Sequence, residues 1–313
     1  MWQHTQTLTY KSTSKSDRMF GVGSMHTINT VVLANEGRLI AAGTVDKVIR
    51  VFEERSPQGQ QQQGWGGGSG SFEETARYKN KFGSLEAVGK LAMSPDGVLL
   101  VAATDICADK IFVWKATNPF ASLSARTCVQ TVKIKTLTAS ADDLDVQALA
   151  FSPADGRLAV GLTGELVVCQ ADPSDGMVCA LQVLSVRGRK VCSLAWAPGG
   201  LCVAAGDEQG MVWVWEQNPQ PGSVMQLVAE LQQNSACLEA AGLAFSPYGG
   251  QLVMAAGDGI MYVWKRDAAS GWVAATTVGQ AGSGKLSSVA FQPDGMCVAV
   301  GSKGVVNISN VIR

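Results

Sequence analysis

The segment GQAGSGKL at residues 279–286 is the part of the sequence that comes nearest to a chemical motif. A phosphate-binding P-loop combines glycines, whose backbone N–H groups surround phosphates, with a lysine and a following Ser or Thr that binds Mg²⁺. Leu286 stands at that last position, and Ser287 comes one residue late. The motif also needs a helix after the lysine, whereas an apolar strand pattern follows here. The segment is therefore interpreted as a glycine-rich loop.

Other residues that could support catalysis or bind a metal are sparse. The densest acidic group is Asp142, Asp143 and Asp145, and the histidines are His4 and His26. A zinc site needs clustered His, Cys or carboxylate ligands, and an exposed loop before a strand explains the acidic group without a metal. No Gly-x-Ser-x-Gly segment marks a nucleophile with its base. We therefore expect no catalytic residue, no metal and no cofactor.

The charge balance narrows the classes of partner. The 313 residues include 25 Lys and Arg against 26 Asp and Glu, and the net charge is −1 at pH 7. Proteins that bind nucleic acid through its phosphates are usually strongly basic. Disordered chains are poor in apolar residues, whereas this chain is 46% hydrophobic. No apolar run reaches the roughly 18 residues of a membrane helix. Neither nucleic-acid binding nor a transmembrane segment is expected.

The N-terminus and the cysteines indicate a compartment. Trp2, Gln3 and His4 follow Met1 without the basic start and apolar run of a secretory signal. Eight cysteines occur without a Cys-x-x-Cys pair, and several, such as Cys192, lie within apolar alternation. Reduced thiols that pack as small apolar groups explain this pattern, and thiols stay reduced in the cytosol. We expect an intracellular protein, in the cytoplasm in preference to the nucleus.

The elements that must position any site come from an internal repeat. Six units lie near residues 27–80, 87–137, 145–186, 190–232, 240–279 and 285–313. A period of about 40–50 residues with several strands per unit indicates a propeller in preference to a helical solenoid. Each unit has an alternating first strand, a Pro/Gly turn, a continuously apolar second strand and an alternating third strand. A more polar stretch supplies a fourth strand in the first five units.

Glycines and aromatic residues recur at fixed places in these units. Glycine accepts the positive φ that tight turns require, and an aromatic residue ends most third strands. The residues predicted to have these structural roles are Gly97, Gly156, Gly200, Gly250, Gly295, Phe52, Trp114, Trp215 and Trp264.

Because the Pro/Gly turns and the Val-Trp ends of the third strands recur together, the sequence resembles the WD40 repeat family over roughly residues 27–313. The resemblance implies an all-β fold, a single β-propeller that spans residues 1–313. Six four-stranded blades are predicted in preference to seven, because no further stretch of about 40 residues is free. The last unit ends after its third strand, and an alternating segment at residues 5–10 is predicted to complete its blade and close the ring.

The sequence departs from the family pattern in several places. No unit ends in Trp-Asp, and the family's Gly-His dipeptide is absent. The His–Asp–Trp hydrogen-bond network of many WD40 blades therefore cannot form in most units. Two insertions interrupt the repeats. Residues 56–71 are rich in Gln and Gly and are predicted to be a flexible loop, and residues 116–126 form the second insertion.

The resemblance also implies that partners bind at the loops leading into each first strand. The candidate residues there are His26, Glu86, Asp142, Asp143, Asp145, Arg187, Arg189, Lys190, Glu239 and Lys285. An acidic third unit next to a basic fourth unit would make a bipolar face suited to a charged peptide or loop. Ordinary surface charges that pair with each other are the alternative, because such pairs are frequent and contribute little energy.

The resemblance implies a non-enzymatic scaffold or adaptor that mediates protein–protein interaction within a complex. Two alternatives stay open. One is a propeller enzyme or small-molecule binder that uses the central channel, and the other is a regulator of membrane trafficking or of small GTPases. Second strands rich in Ala, Gly and Val favour the scaffold, because a catalytic channel would need converging polar groups.

Overall fold

The computed structural model describes residues 28–55, 71–79, 87–104, 109–118, 122–139, 145–220, 222–232, 239–279, 284–292, 295, 297–302 and 305–310. In these residues the chain forms antiparallel strands and one short 3₁₀ helix, Ile134–Thr136. The first two sheets contain four strands each. Sheet 1 consists of β1 (Ile28–Ala34), β2 (Leu39–Thr44), β3 (Val48–Arg55) and β4 (Ser71–Lys79). Sheet 2 consists of β5 (Val88–Met93), β6 (Leu99–Thr104), β7 (Lys110–Asn118) and β8 (Ser122–Lys133).

The third and fourth repeats are joined by one long strand. Sheet 3 contains β9 (Ala148–Phe151), β10 (Arg157–Gly161), β11 (Thr163–Ala171) and the first part of β12 (Val178–Trp196). The second part of β12 begins sheet 4 and pairs with β13 (Cys202–Asp207), which is followed by β14 (Val212–Gln217) and β15 (Met225–Leu231). Arg187 and Gly188 have φ of +54° and +76°. They interrupt the pairing of β12 with β11 between Ser185 and Lys190, just before the partner of β12 changes to β13 at Val191.

The last two repeats differ in the number of described strands. Sheet 5 has β16 (Ala240–Phe245), β17 (Gln251–Ala256), β18 (Ile260–Asp267) and β19 (Gly271–Gly279). Sheet 6 has β20 (Leu286–Phe291), β21 (Cys297–Ser302) and β22 (Val305–Asn310). The predicted closing strand at residues 5–10 lies outside the described residues. The number of blades in the complete ring therefore stays a prediction.

Consecutive sheets pack against each other through buried apolar side chains. The second strands are almost fully buried, as in β6, β10 and β13, which is the expected result of their continuously apolar sequence. Five apolar clusters each combine residues of two consecutive sheets, from sheets 1 and 2 through to sheets 5 and 6. The first strands also follow one another in space, since β1 contacts β5, β5 contacts β9 and β16 contacts β20. This is the arrangement of blades in a propeller.

Glycine in the second strand sets how closely two sheets approach. A Cβ added to Gly161 would lie 2.6 Å from a methyl of Val191, and a Cβ added to Gly206 would lie 2.5 Å from the Cβ of Ala240. Both neighbours belong to the region where the next sheet begins its first strand. Because real Cβ atoms do not approach so closely, these positions need glycine for the inter-sheet distance observed.

The turns between first and second strands have the predicted Pro/Gly form, with one correction. Gly97, Gly156, Gly200 and Gly295 have φ between +68° and +74°. In the fifth repeat the positive φ lies at Gly249 (+71°) and not at Gly250. The cause is the turn length, because Gly249 N donates to the carbonyl of Ser246 at 2.8 Å in the same four-residue turn that ends at Gly97. The aromatic residues Phe52, Trp114, Trp215 and Trp264 are all buried.

A fourth strand follows the third strand in each of the first five repeats, as predicted, and much of the second insertion lies within a long hairpin. The sequence predicts these strands at residues 72–79, 127–137, 178–185, 225–231 and 272–278. β4, β15 and β19 match within one residue at each end, whereas β8 begins and ends several residues earlier and β12 continues to Trp196. Most of the predicted insertion at 116–126 belongs to the hairpin of β7 and β8, in which Ala116 pairs with Arg126. Ala116 and Arg126 are both buried there, so the hairpin continues as packed structure. Residues 56–70 of the first insertion lie outside the described residues.

Candidate interaction face

The two ends of the sheets carry different sets of connections. The segments that lead into first strands lie beside the turns between second and third strands, as shown by Glu208 N donating to the carbonyl of Lys190 at 3.1 Å. Gly257 N donates to the carbonyl of Glu239 at 3.1 Å in the same way. We call this end the entry face. The turns between first and second strands lie at the other end, which we call the turn face.

The structure places six of the ten predicted partner-binding residues on the entry face. These are Asp145, Arg187, Arg189, Lys190, Glu239 and Lys285. The other four, His26, Glu86, Asp142 and Asp143, lie outside the described residues. Asp145 is half-buried at the start of the third repeat. The bipolar pattern predicted between the third and fourth repeats stays a prediction, because two of its three acidic residues are not described.

Arg189 has a structural partner in its own sheet. Its Nη1 donates to Oδ2 of Asp207 at 3.2 Å, and Asp207 is fully buried. Oδ1 of Asp207 also accepts the backbone N–H groups of Gln209 and Met211, at 2.8 and 2.9 Å. Trp213 Nε1 donates to Oδ2 at 3.4 Å. Arg189 thus helps to neutralise a buried carboxylate that holds the turn between β13 and β14.

Arg187 is held by two groups but stays largely exposed. Its Nη2 donates to Oε1 of Glu230, and its guanidinium lies 5.1 Å from the ring centroid of Trp213. The side chain is 66% exposed. An exposed pair of this kind contributes little to stability, and a guanidinium over an aromatic face adds about 0.5–1 kcal/mol at exposed sites. Arg187 is therefore ordered and available to a partner.

Charged residues lie together on the entry face where sheets 4, 5 and 6 begin. Lys285 Nζ donates to Oε2 of Glu239 at 2.5 Å, which joins sheets 5 and 6. This hydrogen bond holds the pKa of Glu239 below its usual value, with smaller contributions from Cys192 and Lys190, and it raises the pKa of Lys285. Burial raises the pKa of the nearby Cys192 thiol to about 12. We call Lys190, Glu239 and Lys285 the charged triad.

Further turns at the entry face are held by aspartates that the sequence prediction did not single out. Oδ2 of Asp258 accepts the hydroxyl of Tyr262 at 2.7 Å, and its Oδ1 accepts Ile260 N at 2.9 Å. Asp46 accepts hydrogen bonds from Thr44 and from the buried Arg50. The signal available in the sequence is an Asp at the end of β13 and shortly after the ends of β2 and β17. These networks replace the His–Asp–Trp network of the family with other donors.

Two buried arginines fix the turn face. Arg157 Nη2 donates to the carbonyl of Gly200 at 2.7 Å, Nη1 to Gln217 at 2.6 Å and Nε to Asp155 at 2.7 Å. Its guanidinium also lies 5.0 Å from the ring centroid of Trp196. Arg126 similarly donates to the carbonyl of Gly97. Each guanidinium thus binds the carbonyl of a glycine with positive φ, which fixes a turn from within the core.

The structure tests the sequence motifs that could have carried chemistry. β20 begins at Leu286, directly after Lys285, so a strand and not a helix follows the P-loop-like segment. Within the described ranges, no three His, Cys, Asp or Glu side chains form a group that could hold a metal ion. The described part of the chain also has no helix long and apolar enough to cross a membrane.

Comparisons with known proteins agree with this architecture. The family model described as "WD domain, G-beta repeat" matches residues 180–216, which run from β12 to β14. A chain in a solved structure described as "Crystal Structure of Mitotic Checkpoint Complex" matches with a TM-score of 0.64 at 15% identity. That match covers 92% of this chain and 76% of the other chain. The comparison with curated proteins gave no match.

These findings confirm the resemblance to WD40 repeats, and the chain has the all-β WD40-type propeller fold. A propeller of this type is in general a surface for protein–protein interaction. Because 1554 solved chains match the fold, the likeness selects neither a particular complex nor a particular partner. The site must therefore be argued from the side chains of this chain.

Proposed function

We propose that this protein is a non-enzymatic WD40-type scaffold or adaptor that binds other proteins through its entry face. The observation that supports this function is the charged triad, in which Lys190, Glu239 and Lys285 bring side chains from three consecutive sheets together at one end. Lys190 and Lys285 are exposed, and the strands behind them are rigidly packed. A rigid surface with charges of both signs favours specific recognition of a complementary protein.

The three basic residues of the fourth repeat have different roles in this proposal. Arg189 is the ion-pair partner of the buried Asp207 and supports the fold. Arg187 and Lys190 are exposed and are available for binding. A variant that reverses all three charges would therefore mix unfolding with loss of binding. The binding test must use Lys190→Glu and Arg187→Glu separately and leave Arg189 in place.

Affinity purification with mass spectrometry tests the function directly. We expect the wild-type chain to retain one or more proteins in near-stoichiometric amount, and Lys190→Glu to lose at least one of them. Lys133→Glu is the matched control, because Lys133 is an exposed lysine on the outer strand β8 and away from the charged triad. Equal recovery of every protein by the wild type and both entry-face variants would contradict binding through this face.

We further propose that the protein acts in the cytoplasm as a six-bladed ring closed by residues 5–10. Five described cysteines are free thiols, and two of them, Cys128 and Cys179, are exposed, which suits a reducing compartment. A fluorescently tagged chain should be found in the cytoplasm and excluded from the secretory pathway. Co-localisation with secretory markers would contradict this assignment.

A further inference from the structure

A groove runs across the turn face between sheets 2 and 3. Its inner part is a cavity of about 280 Å³, lined by the first turns of both sheets together with Gln170, Ala171 and Pro173. Its outer part is a wider cavity of about 640 Å³, lined by the β7–β8 hairpin and the turn at residues 173–175. Pro173 lines both cavities, so the two cavities adjoin, and we call them together the groove. It lies at the opposite end from the charged triad.

The walls of the groove are apolar. Pro95, Pro153 and Pro173 stand along the inner part, where Leu99 and Ala171 form the buried base. Val98, Ala116 and Val129 continue the apolar surface in the outer part, and Val129 is 40% exposed. Prolines and aliphatic side chains of this kind accept the aliphatic part of a bound chain without conformational change, because the turns that carry them are already fixed.

Three carboxylates stand at the rim. Oδ1 of Asp96 accepts Val98 N at 2.9 Å, and Oδ1 of Asp175 accepts Met177 N at 2.7 Å, so each side chain is fixed by its own turn. Asp155 is fixed by Arg157, whose Nε donates to Oδ2 at 2.7 Å. All three aspartates are exposed. Their negative charges are therefore presented to solvent in defined positions.

The positive charges near the groove are buried or engaged, and they include the buried Arg126, which interacts with Asp96 and binds the carbonyl of Gly97. Lys115 is the cation among the lining residues, and its Nζ donates to the carbonyl of Ser174. Arg157 lies buried below Asp155 and binds Gly200 and Gln217 as well. Among the lining residues three carboxylates outnumber the one ammonium group, while Arg126 and Arg157 lie buried behind Asp96 and Asp155, so the exposed charge of the lining is mainly negative.

We propose that this groove binds an extended, basic segment of a protein partner, with an Arg or Lys side chain next to an apolar one. The apolar walls suit the aliphatic stem of such a side chain, and the rim carboxylates suit its cationic head. A cavity of about 280 Å³ is near the lower limit of ligand pockets, which fits one long side chain. This inference rests on the proposed function, since it adds a second protein-binding surface to the same propeller.

The test uses arrays of synthetic ten-residue peptides as the probe. The central position holds Arg, Lys, Ala or Glu, a Leu follows it, and the other positions are degenerate mixtures. The full chain is compared with the triple variant Asp96→Asn, Asp155→Asn, Asp175→Asn, which removes the charges and keeps an oxygen at Oδ1 for the turns. The matched control is Asp267→Asn, because Asp267 fixes an exposed turn at Ala269 and Ser270 in sheet 5.

We expect the wild type and the control to bind Arg- and Lys-centred peptides in preference to Ala- and Glu-centred ones. The triple variant should bind the basic peptides roughly tenfold less tightly, because it loses three rim charges. Ser174→Arg, which adds a positive charge at the outer part of the groove, should weaken the same peptides. It serves as the second test if the triple variant does not fold.

Several results would overturn the groove proposal. One is that the triple variant and Ser174→Arg bind the basic peptides as tightly as the wild type does. Another is that the wild type prefers Glu-centred peptides, and a third is that the wild type binds no peptide at all. None of these results would affect the entry-face proposal, because the entry face lies at the other end of the sheets. A loss of partners by Lys190→Glu would still support that proposal. If neither Lys190→Glu nor Arg187→Glu loses a partner while the arrays behave as expected, the entry-face proposal fails and the groove proposal holds.

Discussion

Replacement of Arg189 should destabilise the protein, whereas replacement of its neighbour Lys190 should not. Arg189 Nη1 lies 3.2 Å from Oδ2 of Asp207, whose side chain is 0% exposed. Arg189→Ala leaves that buried carboxylate with its backbone and Trp213 donors but without a neutralising charge. Lys190 is exposed, and its interaction with Glu239 is a minor coulombic one.

The size of the effect follows from the burial of the two partners. A hydrogen bond to a charged group contributes about 1.5–3 kcal/mol. Two unit charges about 4 Å apart interact by about 4 kcal/mol at an effective dielectric constant near 20, and the 29% exposure of Arg189 reduces that value. We therefore expect Arg189→Ala to lower the free energy of unfolding by about 2 kcal/mol. Lys190→Ala should change it by less than about 0.5 kcal/mol, as for most surface substitutions.

Guanidinium unfolding followed by tryptophan fluorescence measures both effects. The chain has eight tryptophans, Trp213 among them, so the fluorescence reports on unfolding of the chain as a whole. Arg189→Lys is the conservative control and should recover part of the loss, because lysine keeps the charge but not the planar donor group. Equal unfolding midpoints for Arg189→Ala and Lys190→Ala would refute the structural role assigned to Arg189.

Four further outcomes follow from the packing. Gly206→Ala should lower stability by about 1–3 kcal/mol in chemical unfolding, because its Cβ would lie 2.5 Å from that of Ala240. Arg157→Met should lower the melting temperature, because it removes three side-chain hydrogen bonds from the turn face. Burial raises the pKa of Cys169 to about 12 from an ordinary 9.0, so it should resist alkylation at pH 8. Its contribution to stability should fall above about pH 9, where the unfolded thiol ionises first. Deletion of residues 1–27 should lower the melting temperature, if residues 5–10 complete the last blade.

Each of these outcomes has a control in the same chain. Gly199→Ala should be nearly neutral, because its Cβ would meet nothing within 4 Å, and Arg266→Met removes an exposed arginine. Cys179 is exposed and should be alkylated in the folded protein. Deletion of residues 56–70 should leave the melting temperature unchanged. Equal behaviour of a variant and its control would contradict the corresponding structural reason.

The architecture could be predicted from the sequence because the repeats carry local signals of strand and turn. The continuously apolar second strands became the buried strands β6, β10 and β13. The Pro/Gly turns gave glycines with positive φ, and the error at Gly250 arose where two glycines, Gly249 and Gly250, were adjacent. Local spacing alone does not decide which of two neighbouring glycines ends a turn.

The site was harder to predict because charge pairs join residues that are distant in sequence. Arg187, Arg189 and Lys190 look alike in sequence, yet Arg189 binds the buried Asp207 and Lys190 faces solvent. The pairing of Glu239 with Lys285 spans two repeats. The groove between sheets 2 and 3 also went unpredicted, because it arises only when turns from two sheets come together.

The most direct test of the central claim is the protein complement that co-purifies with the folded chain. The claim is that a WD40-type propeller binds proteins through defined charged surfaces. The wild type and Lys133→Glu should recover the same near-stoichiometric partners, and Lys190→Glu should lose at least one of them while it unfolds at the same guanidinium concentration. The claim would be contradicted if the wild-type chain co-purified with no other protein. It would also be contradicted if the wild type, Lys133→Glu and Lys190→Glu recovered identical proteins.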